Sequence, residues 1–148
     1  MPTVKLFVTC LVESFFPEVG EATVEVLERH GCTVEFPFDQ TCCGQPAFNV
    51  GYQDQARAMA EHTIKVLDAT EGTIVVPSGS CADMMINHSP ELFPPDDPRH
   101  AAAARVAARV KEFSSFLVDD LGITDAGASC QGKTGTYHPS CHGFRNLG

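Results

Sequence analysis

The sequence predicts a three-layer α/β fold, with helices on both faces of a mainly parallel sheet of about four strands. Strand-like apolar segments alternate with helical segments along the chain, and crossover helices of this kind join parallel strands. The chain has 148 residues, of which 43% are hydrophobic. A chain of this size and composition can bury a core as one compact domain.

The first half of the chain contains three candidate strands. The first is a nearly continuous apolar run, typical of a strand buried on both faces. Pro17 suits the first turn of a helix, and Gly31 suits the position just after its last turn. The predicted elements, in order, are a strand at 4–9, a helix at 17–31, a strand at 32–36, a helix at 47–69 and a strand at 73–76.

The second half begins with a short helix after the third strand and a proline-rich break at residues 94–98. Beyond the break, apolar residues recur every three or four positions from Val106 to Leu121, which predicts one continuous helix. Residues 133–137 are interpreted as the fourth strand.

Composition and charge exclude several classes of protein. The net charge of −9 argues against a nucleic-acid interface, which needs a basic surface. No apolar run has the length of a membrane span, and the first residues lack the pattern of a secretory signal. Residues 10–14 occupy the position of a glycine-rich dinucleotide loop without its glycines, so no NAD or FAD site is recognised. We therefore expect a cytoplasmic protein that acts with protein partners.

The adjacent pair Cys42 and Cys43, followed by Gly44, is the most specific feature of the chain. Disulfides between distant cysteines would be reduced in the cytosol, so thiols brought together there indicate a metal, an iron–sulfur cluster or redox chemistry. Cys10 and Cys81 each follow another predicted strand. Because the carboxyl ends of parallel strands meet at one edge, the four cysteines are expected to converge there. Helix N-termini at that edge would stabilise their thiolates.

The remaining cysteines are predicted to have other roles. Cys32 follows a helix-ending glycine and begins a strand, so we expect it in the core. Cys130 lies in a glycine-containing loop without ligand spacing and is interpreted as an incidental thiol. Cys141 with His142 is either an additional ligand at the same edge or a ligand pair whose partners are missing. Four other histidines are predicted to be solvated: His30, His62, His88 and His100.

Three functions remain open from the residues alone. Four thiolates can hold an iron–sulfur cluster in an electron-transfer subunit. They can equally form the closed site of a zinc-binding structural module. The vicinal pair Cys42 and Cys43 could also serve a metal-free thiol–disulfide protein.

The cysteine pattern resembles that of a known family. The order of Cys10, the Cys42–Cys43–Gly44 triplet and Cys81 is similar to the cysteine-rich CCG domain of the heterodisulfide reductases. The flanking segments are closer still to the lactate utilization protein A group of iron–sulfur oxidoreductases in that superfamily. They are Leu6–Val12, Phe16–Gly20, Thr41–Ala47 and Pro77–Ala82.

The resemblance implies an iron–sulfur electron-transfer subunit of a complex that oxidises L-lactate and that is not active alone. The implied partners are a ferredoxin-like iron–sulfur subunit and a third small subunit. Alternatives within the superfamily are an iron–sulfur subunit of a glycolate or glycerol-3-phosphate oxidase and a heterodisulfide reductase-like subunit. The implied cofactor is a 4Fe–4S cluster on Cys10, Cys42, Cys43 and Cys81, with Cys141 as a further candidate ligand.

Two departures from the family pattern bear on these expectations. Met84 stands where the reductase has the second cysteine of a Cys-x-x-Cys pair, so the cluster could be of the cubane or the noncubane type. Residues 137–143 resemble the opening of a second copy of the motif, without its adjacent cysteine pair. The predicted division is a first cysteine-rich domain at 1–132 and the start of a truncated second repeat at 133–148.

Overall fold

The computed structural model describes residues 1–129, 131–138 and 140–147. Four short strands form one sheet in the order β2–β1–β3–β4, and every neighbouring pair is parallel. This confirms the predicted three-layer α/β fold with a parallel four-stranded sheet. The strands are β1 (Thr3–Leu6), β2 (Thr33–Glu35), β3 (Thr73–Val76) and β4 (Val110–Glu112).

Helices connect the strands and cover both faces of the sheet. They are α1 (Cys10–Phe15), α2 (Pro17–Arg29), α3 (Gln45–Asn49), α4 (Gln53–Asp68), α5 (Gly79–Asp83), α6 (Ser89–Glu91), α7 (Pro98–Ala107) and α8 (Phe113–Ser115). Turns of π-helix follow at Met84–His88, Phe116–Asp120 and Gly143–Leu147. Among the helices of the described residues, none has the length and apolar character that crossing a membrane requires.

The strand β3 shows how the sheet separates two apolar layers. Ile74 and Val76 pack into a cluster with residues of α4, α5 and α7. Val75, between them, packs into a second cluster with Leu27 of α2 and Phe116 of the second π-helical turn. Because successive side chains of a strand point to opposite faces, the alternation places one core on each side of the sheet.

The fourth strand differs from the prediction. Residues 131–138 form no strand and are exposed, since the polar segment from Lys133 to Tyr137 offers little apolar surface to bury. The fourth strand is β4, which lies inside the region predicted as one helix from Val106 to Leu121. Helix α7 ends at Ala107, and Val110 then pairs with Ile74 of β3. Cys141 therefore does not follow a strand.

The predicted helix at 47–69 is divided in two. Helix α3 ends at Asn49 and α4 begins at Gln53. Gly51 between them has a φ of +87°, a conformation that glycine adopts without steric cost. The interruption lets α3 turn away from α4 and leads the chain from the cysteine pair onto the face of the sheet.

Candidate functional site

Three segments that follow strands at one edge of the sheet carry the predicted site cysteines. Cys10 is the first residue of α1, just beyond β1, and the Thr9 hydroxyl accepts a hydrogen bond from the N–H of Val12 at 3.4 Å. Cys42 and Cys43 lie in the loop between β2 and α3, and Cys81 lies within α5, just beyond β3. Because all strands are parallel, these loops meet at the carboxyl edge of the sheet.

The four thiols lie side by side. The Sγ atoms of Cys10 and Cys42 are 3.5 Å apart, and the thiol of Cys43 interacts with those of Cys42 and Cys81. Cys43 and Cys81 are buried, whereas Cys10 and Cys42 are half-buried. The structure thus brings together Cys10, Cys42, Cys43 and Cys81 in one group with a solvent-facing side.

A tight turn holds the cysteine pair against α4. Gly44 has a φ of +88°, and a Cβ atom there would lie 3.0 Å from the carbonyl oxygen of Ala56. The hydroxyl of Thr63 donates to the carbonyl of Cys42 at 3.0 Å, and the N–H of Gly44 donates to the Sγ of Cys42 at 3.4 Å. The glycine of the Cys–Cys–Gly motif is therefore required both by backbone conformation and by close packing.

The thiols alternate in protonation along the group. A hydrogen bond from Cys43 lowers the pKa of Cys42 to about 5 despite partial burial. Burial, with the neighbouring Cys42 sulfur, raises the pKa of Cys10 to about 11. The hydrogen bond with Cys42 also raises the pKa of Cys43, and a bond from Cys43 lowers the pKa of Cys81. The lowered pKa values of Cys42 and Cys81 favour their thiolates, the raised pKa values of Cys10 and Cys43 favour their thiols, and metal binding would displace the thiol protons.

The donor set fits a metal ion or an iron–sulfur cluster. Thiolates are soft ligands that select zinc, copper(I) and iron–sulfur clusters. Met84, at the position of the missing family cysteine, is fully buried in the core cluster beside α4 and α7. It therefore packs as a core residue, and the thiols of Cys10, Cys42, Cys43 and Cys81 are the ligand candidates at this edge.

The remaining cysteines have different surroundings. Cys32 is buried with Val4 and Leu27 on the opposite face of the sheet, which confirms the prediction of a core residue. Cys141 is exposed, at the start of the segment at 141–147. The prediction for Cys130 lies outside the described residues.

A buried carboxylate lies beyond the thiol group, and sequence reasoning missed it. Asp83, at the end of α5, is fully buried. Its Oδ1 accepts from the side chain of Asn87 at 2.7 Å, and its Oδ2 accepts from Asn146 at 2.8 Å and from Nδ1 of His142. Nε2 of His88 lies 3.3 Å from the same Oδ2. Burial raises the pKa of this carboxyl, but the hydrogen bonds outweigh it and hold the pKa below its usual value.

The prediction that His88 is solvated was wrong. Its side chain is 22% exposed, and its ring stacks on Phe48 with the ring centroids 4.8 Å apart. His88 follows Asp83 by five positions, a spacing that an α-helix does not align but that the π-helical turn at Met84–His88 does. The one available signal was an aspartate within the apolar stretch of residues 82–85.

The fold and the site define a class: parallel α/β domains that gather thiols at one sheet edge to bind a metal or a cluster. The chain matches the cysteine-rich domain family, CCG, over residues 4–86. It therefore belongs to that family, and the matched range contains all four grouped cysteines. The predicted resemblance is confirmed.

Curated relatives carry the same resemblance over nearly the whole chain. Lactate utilization protein A of Exiguobacterium sp. is 49% identical over 149 residues, covering 100% of this chain and 60% of the relative. The protein of that name from Bacillus cytotoxicus is 52% identical over 146 residues, covering 98% of this chain and 59% of the relative. The chain thus spans about 60% of the length of these relatives. No solved structure matches it with statistical significance.

Proposed function

We propose that the chain is an iron–sulfur electron-transfer subunit of a system that oxidises L-lactate. The observation that carries the proposal is the group of four thiols at the carboxyl edge of a parallel sheet, in a chain of the cysteine-rich domain family. The substrate class comes from the relatives, which are named for lactate utilization.

The family pattern of the cysteines, rather than the spacing of their sulfurs, favours a cluster over a single zinc ion. Zinc with bonds of about 2.3 Å to four sulfurs places every pair of sulfurs about 3.8 Å apart. The Sγ atoms of Cys10 and Cys42, 3.5 Å apart, have a spacing that zinc would also accept. Four cysteine thiolates are equally the ligand set of a 4Fe–4S cluster, and the iron–sulfur families that the cysteine pattern resembles support that cluster on Cys10, Cys42, Cys43 and Cys81.

The chain's own groups suit such an anionic ligand. Hydrogen bonds lower the pKa of Cys42 and of Cys81, which favours their thiolates, while Cys10 and Cys43 would each give up a proton as they ligate iron. The N–H of Gly44 donates to the Cys42 sulfur, and hydrogen bonds to ligand sulfurs tune a cluster's potential. An iron–sulfur cluster, when bound, supplies one-electron transfer.

The arginines support a substrate site on a partner. Of the six arginines among the described residues, Arg145 is exposed and the other five are engaged by carboxylates or backbone carbonyls, which leaves those five poorly placed to clamp a substrate carboxylate. They are Arg29, Arg57, Arg99, Arg105 and Arg109. We propose that a cytoplasmic ferredoxin-like subunit and a third small subunit complete the system. Three exposed apolar residues that follow Cys10 in α1 and just after it suit such docking: Leu11, Phe15 and Phe16.

The ligand assignment is tested by anaerobic reconstitution with iron and sulfide. Cys42→Ser and Cys43→Ser should abolish cluster formation, because each removes one of four ligands. Cys32→Ser is the matched control for Cys43→Ser, since Cys32 is buried as Cys43 is but lies on the other face of the sheet. Iron, sulfide and the brown absorption of the cluster are measured in each protein. Equal iron in Cys42→Ser and wild type, or tight binding of zinc with no iron uptake, would contradict the proposal.

The subunit role is tested by lactate-dependent dye reduction. The chain alone should give no turnover, and activity should require the ferredoxin-like partner and the third subunit. Glycolate and glycerol 3-phosphate, the substrates of the alternative enzymes, are assayed in parallel. Turnover of lactate by the 148-residue chain alone would contradict the subunit role.

A further inference from the structure

A second set of metal-ligand atoms lies where the end of α5 meets the π-helical turn at Met84–His88 and the segment at 141–147. Oδ2 of Asp83, a ring nitrogen of His88 and a ring nitrogen of His142 all lie within 4.8 Å of one another. Oδ2 of Asp83 and Nε2 of His88 are 3.3 Å apart. Two ligands at about 2.0–2.2 Å from one tetrahedral ion are separated by about 3.4 Å, so this pair already has the spacing of shared coordination.

The second polar atom of each of these three side chains also has a polar neighbour. Nδ1 of His88 lies 3.2 Å from a carboxylate oxygen of Glu91. Oδ1 of Asp83 accepts from Asn87 at 2.7 Å. Nε2 of His142 lies 3.5 Å from the carboxamide of Gln45. Metal-bound histidines regularly bond their second nitrogen to a carboxylate or similar group, which fixes the ring and its tautomer.

We propose that Asp83, His88 and His142 form a mononuclear site for a divalent first-row metal ion, with Zn²⁺ or Fe²⁺ the best match. Two imidazoles and one carboxylate are a ligand set that both ions use, with further positions left for water or substrate. The site goes beyond the proposed electron-transfer function and uses none of its four cysteines.

Metal entry is compatible with the surroundings of the three side chains. The carboxylate is fully buried, but the side chains of His88 and His142 are 22% and 23% exposed, so the imidazoles face solvent. Without metal, Nδ1–H of His142 donates to Asp83. With metal on Nδ1, the neutral ring carries its proton on Nε2 beside Gln45, and an imidazolium would release one proton to solvent.

An ion at this site would link two parts of the chain that are distant in sequence. Asp83 is two residues from Cys81 and belongs to the first domain, whereas His142 follows Cys141 in the segment at 141–147. Residues 131–138, which precede that segment, are exposed and form no helix or strand. A shared ion would therefore fasten this segment to the helix that carries one of the cluster cysteines.

Cobalt titration of the full chain tests the site, because Co²⁺ reports its ligands by colour. A nitrogen and oxygen site gives weak visible bands, whereas a thiolate site gives intense near-ultraviolet charge transfer together with visible bands of its own, so the Asp83 site is measured as the visible absorption that differs between wild type and variant. His142→Ala and Asp83→Asn should each remove one equivalent of bound cobalt with its weak visible bands and leave the charge transfer and the thiolate bands intact. Glu91→Gln should weaken cobalt binding about 10–100-fold. His62→Ala, at an exposed histidine on α4, is the control and should change neither signal.

The two proposals fail separately in this experiment. Loss of cluster ligation removes the charge transfer and the iron content, and Cys42→Ser should do only that. The same cobalt stoichiometry and visible spectrum in wild type and His142→Ala would overturn the metal site. Because Asp83 is fully buried, circular dichroism checks the fold of Asp83→Asn. If that variant unfolds, His142→Ala and Glu91→Gln decide the outcome, since both side chains reach solvent.

Discussion

Gly44 and Gly51 are two glycines with the same backbone conformation in different surroundings. Their φ angles are +88° and +87°. A Cβ on Gly44 would meet the backbone of Ala56 at 3.0 Å, whereas a Cβ on Gly51 would meet nothing within 4 Å. The pair therefore separates the cost of left-handed backbone from the cost of crowding.

We expect Gly44→Ala to destabilise the fold more than Gly51→Ala. Both variants carry the penalty of a left-handed residue, about 1–2 kcal/mol. Gly44→Ala must also push the cysteine loop away from α4, which should lower the iron retained after reconstitution. Urea unfolding and iron analysis measure both effects. Equal losses of unfolding free energy in the two variants would show that the loop tolerates a Cβ against α4.

Cys10 and Cys42 are matched in exposure but differ in protonation. Both are half-buried, yet the hydrogen bond from Cys43 lowers the pKa of Cys42 to about 5 and burial raises the pKa of Cys10 to about 11. Only the thiolate is a nucleophile. In metal-free protein, iodoacetamide at pH 7 should therefore modify Cys42 well before Cys10.

Both the modification rate of Cys42 and the stability of the fold should decrease at low pH. The Cys42 rate should fall as the pH drops through about 5, because the depressed pKa keeps the thiolate populated above that value. The stability that goes with this depressed pKa is likewise present at high pH and lost as the pH falls through about 5. Peptide mass spectrometry follows each cysteine. Faster modification of Cys10 at pH 7 would reverse the assigned pKa order.

At the scale of single residues, the sequence predicted the thiol group but not the buried carboxylate. Cys10, Cys42, Cys43 and Cys81 could be assigned to one edge because each follows a strand, and strand direction fixes where the loops meet. The partners of Asp83 come instead from residues distant in sequence, such as His142 and Asn146. No local pattern encodes such a contact.

At the scale of elements, three strands were predictable and the fourth was not. Strand β3 is a short, branched apolar run that only a buried strand explains well, and its bounds are those predicted, Thr73–Val76. Strand β4 has three residues, and its valine also fits the helical spacing of the apolar residues around it. Pairing with β3 decides its conformation, so tertiary contacts override the local pattern.

Alanine substitutions distinguish the observed fourth strand from the predicted one. Val110 is 4% exposed in the core cluster, so Val110→Ala should cost about 1–3 kcal/mol in lost burial and packing. Thr136 is exposed and lies outside any described helix or strand, so Thr136→Ala should remain within about 0.5 kcal/mol of wild type. Chemical denaturation measures both. A larger loss at Thr136 would restore the strand predicted for 133–137.

At the scale of the whole molecule, one part of the fold holds two groups of candidate ligands. The thiol group lies over the carboxyl ends of the strands, and the Asp83 network begins two residues after Cys81 on the same helix. A rigid parallel sheet holds the loops of both, which is the arrangement that precise ligand geometry needs. Changes at one group should therefore be measured at the other as well.

The predicted boundary between a first domain at 1–132 and a following repeat can be tested by trypsin. Lys133 lies in the exposed stretch at 131–138, whereas every strand and all four grouped cysteines precede it. We expect cleavage after Lys133 in protein reconstituted with iron to leave the iron content of the desalted product unchanged. Cys141→Ser in the uncut chain is the control, because it removes that thiol without a break. Loss of iron in both would assign Cys141 as a cluster ligand and move the boundary of the iron-binding unit beyond residue 132.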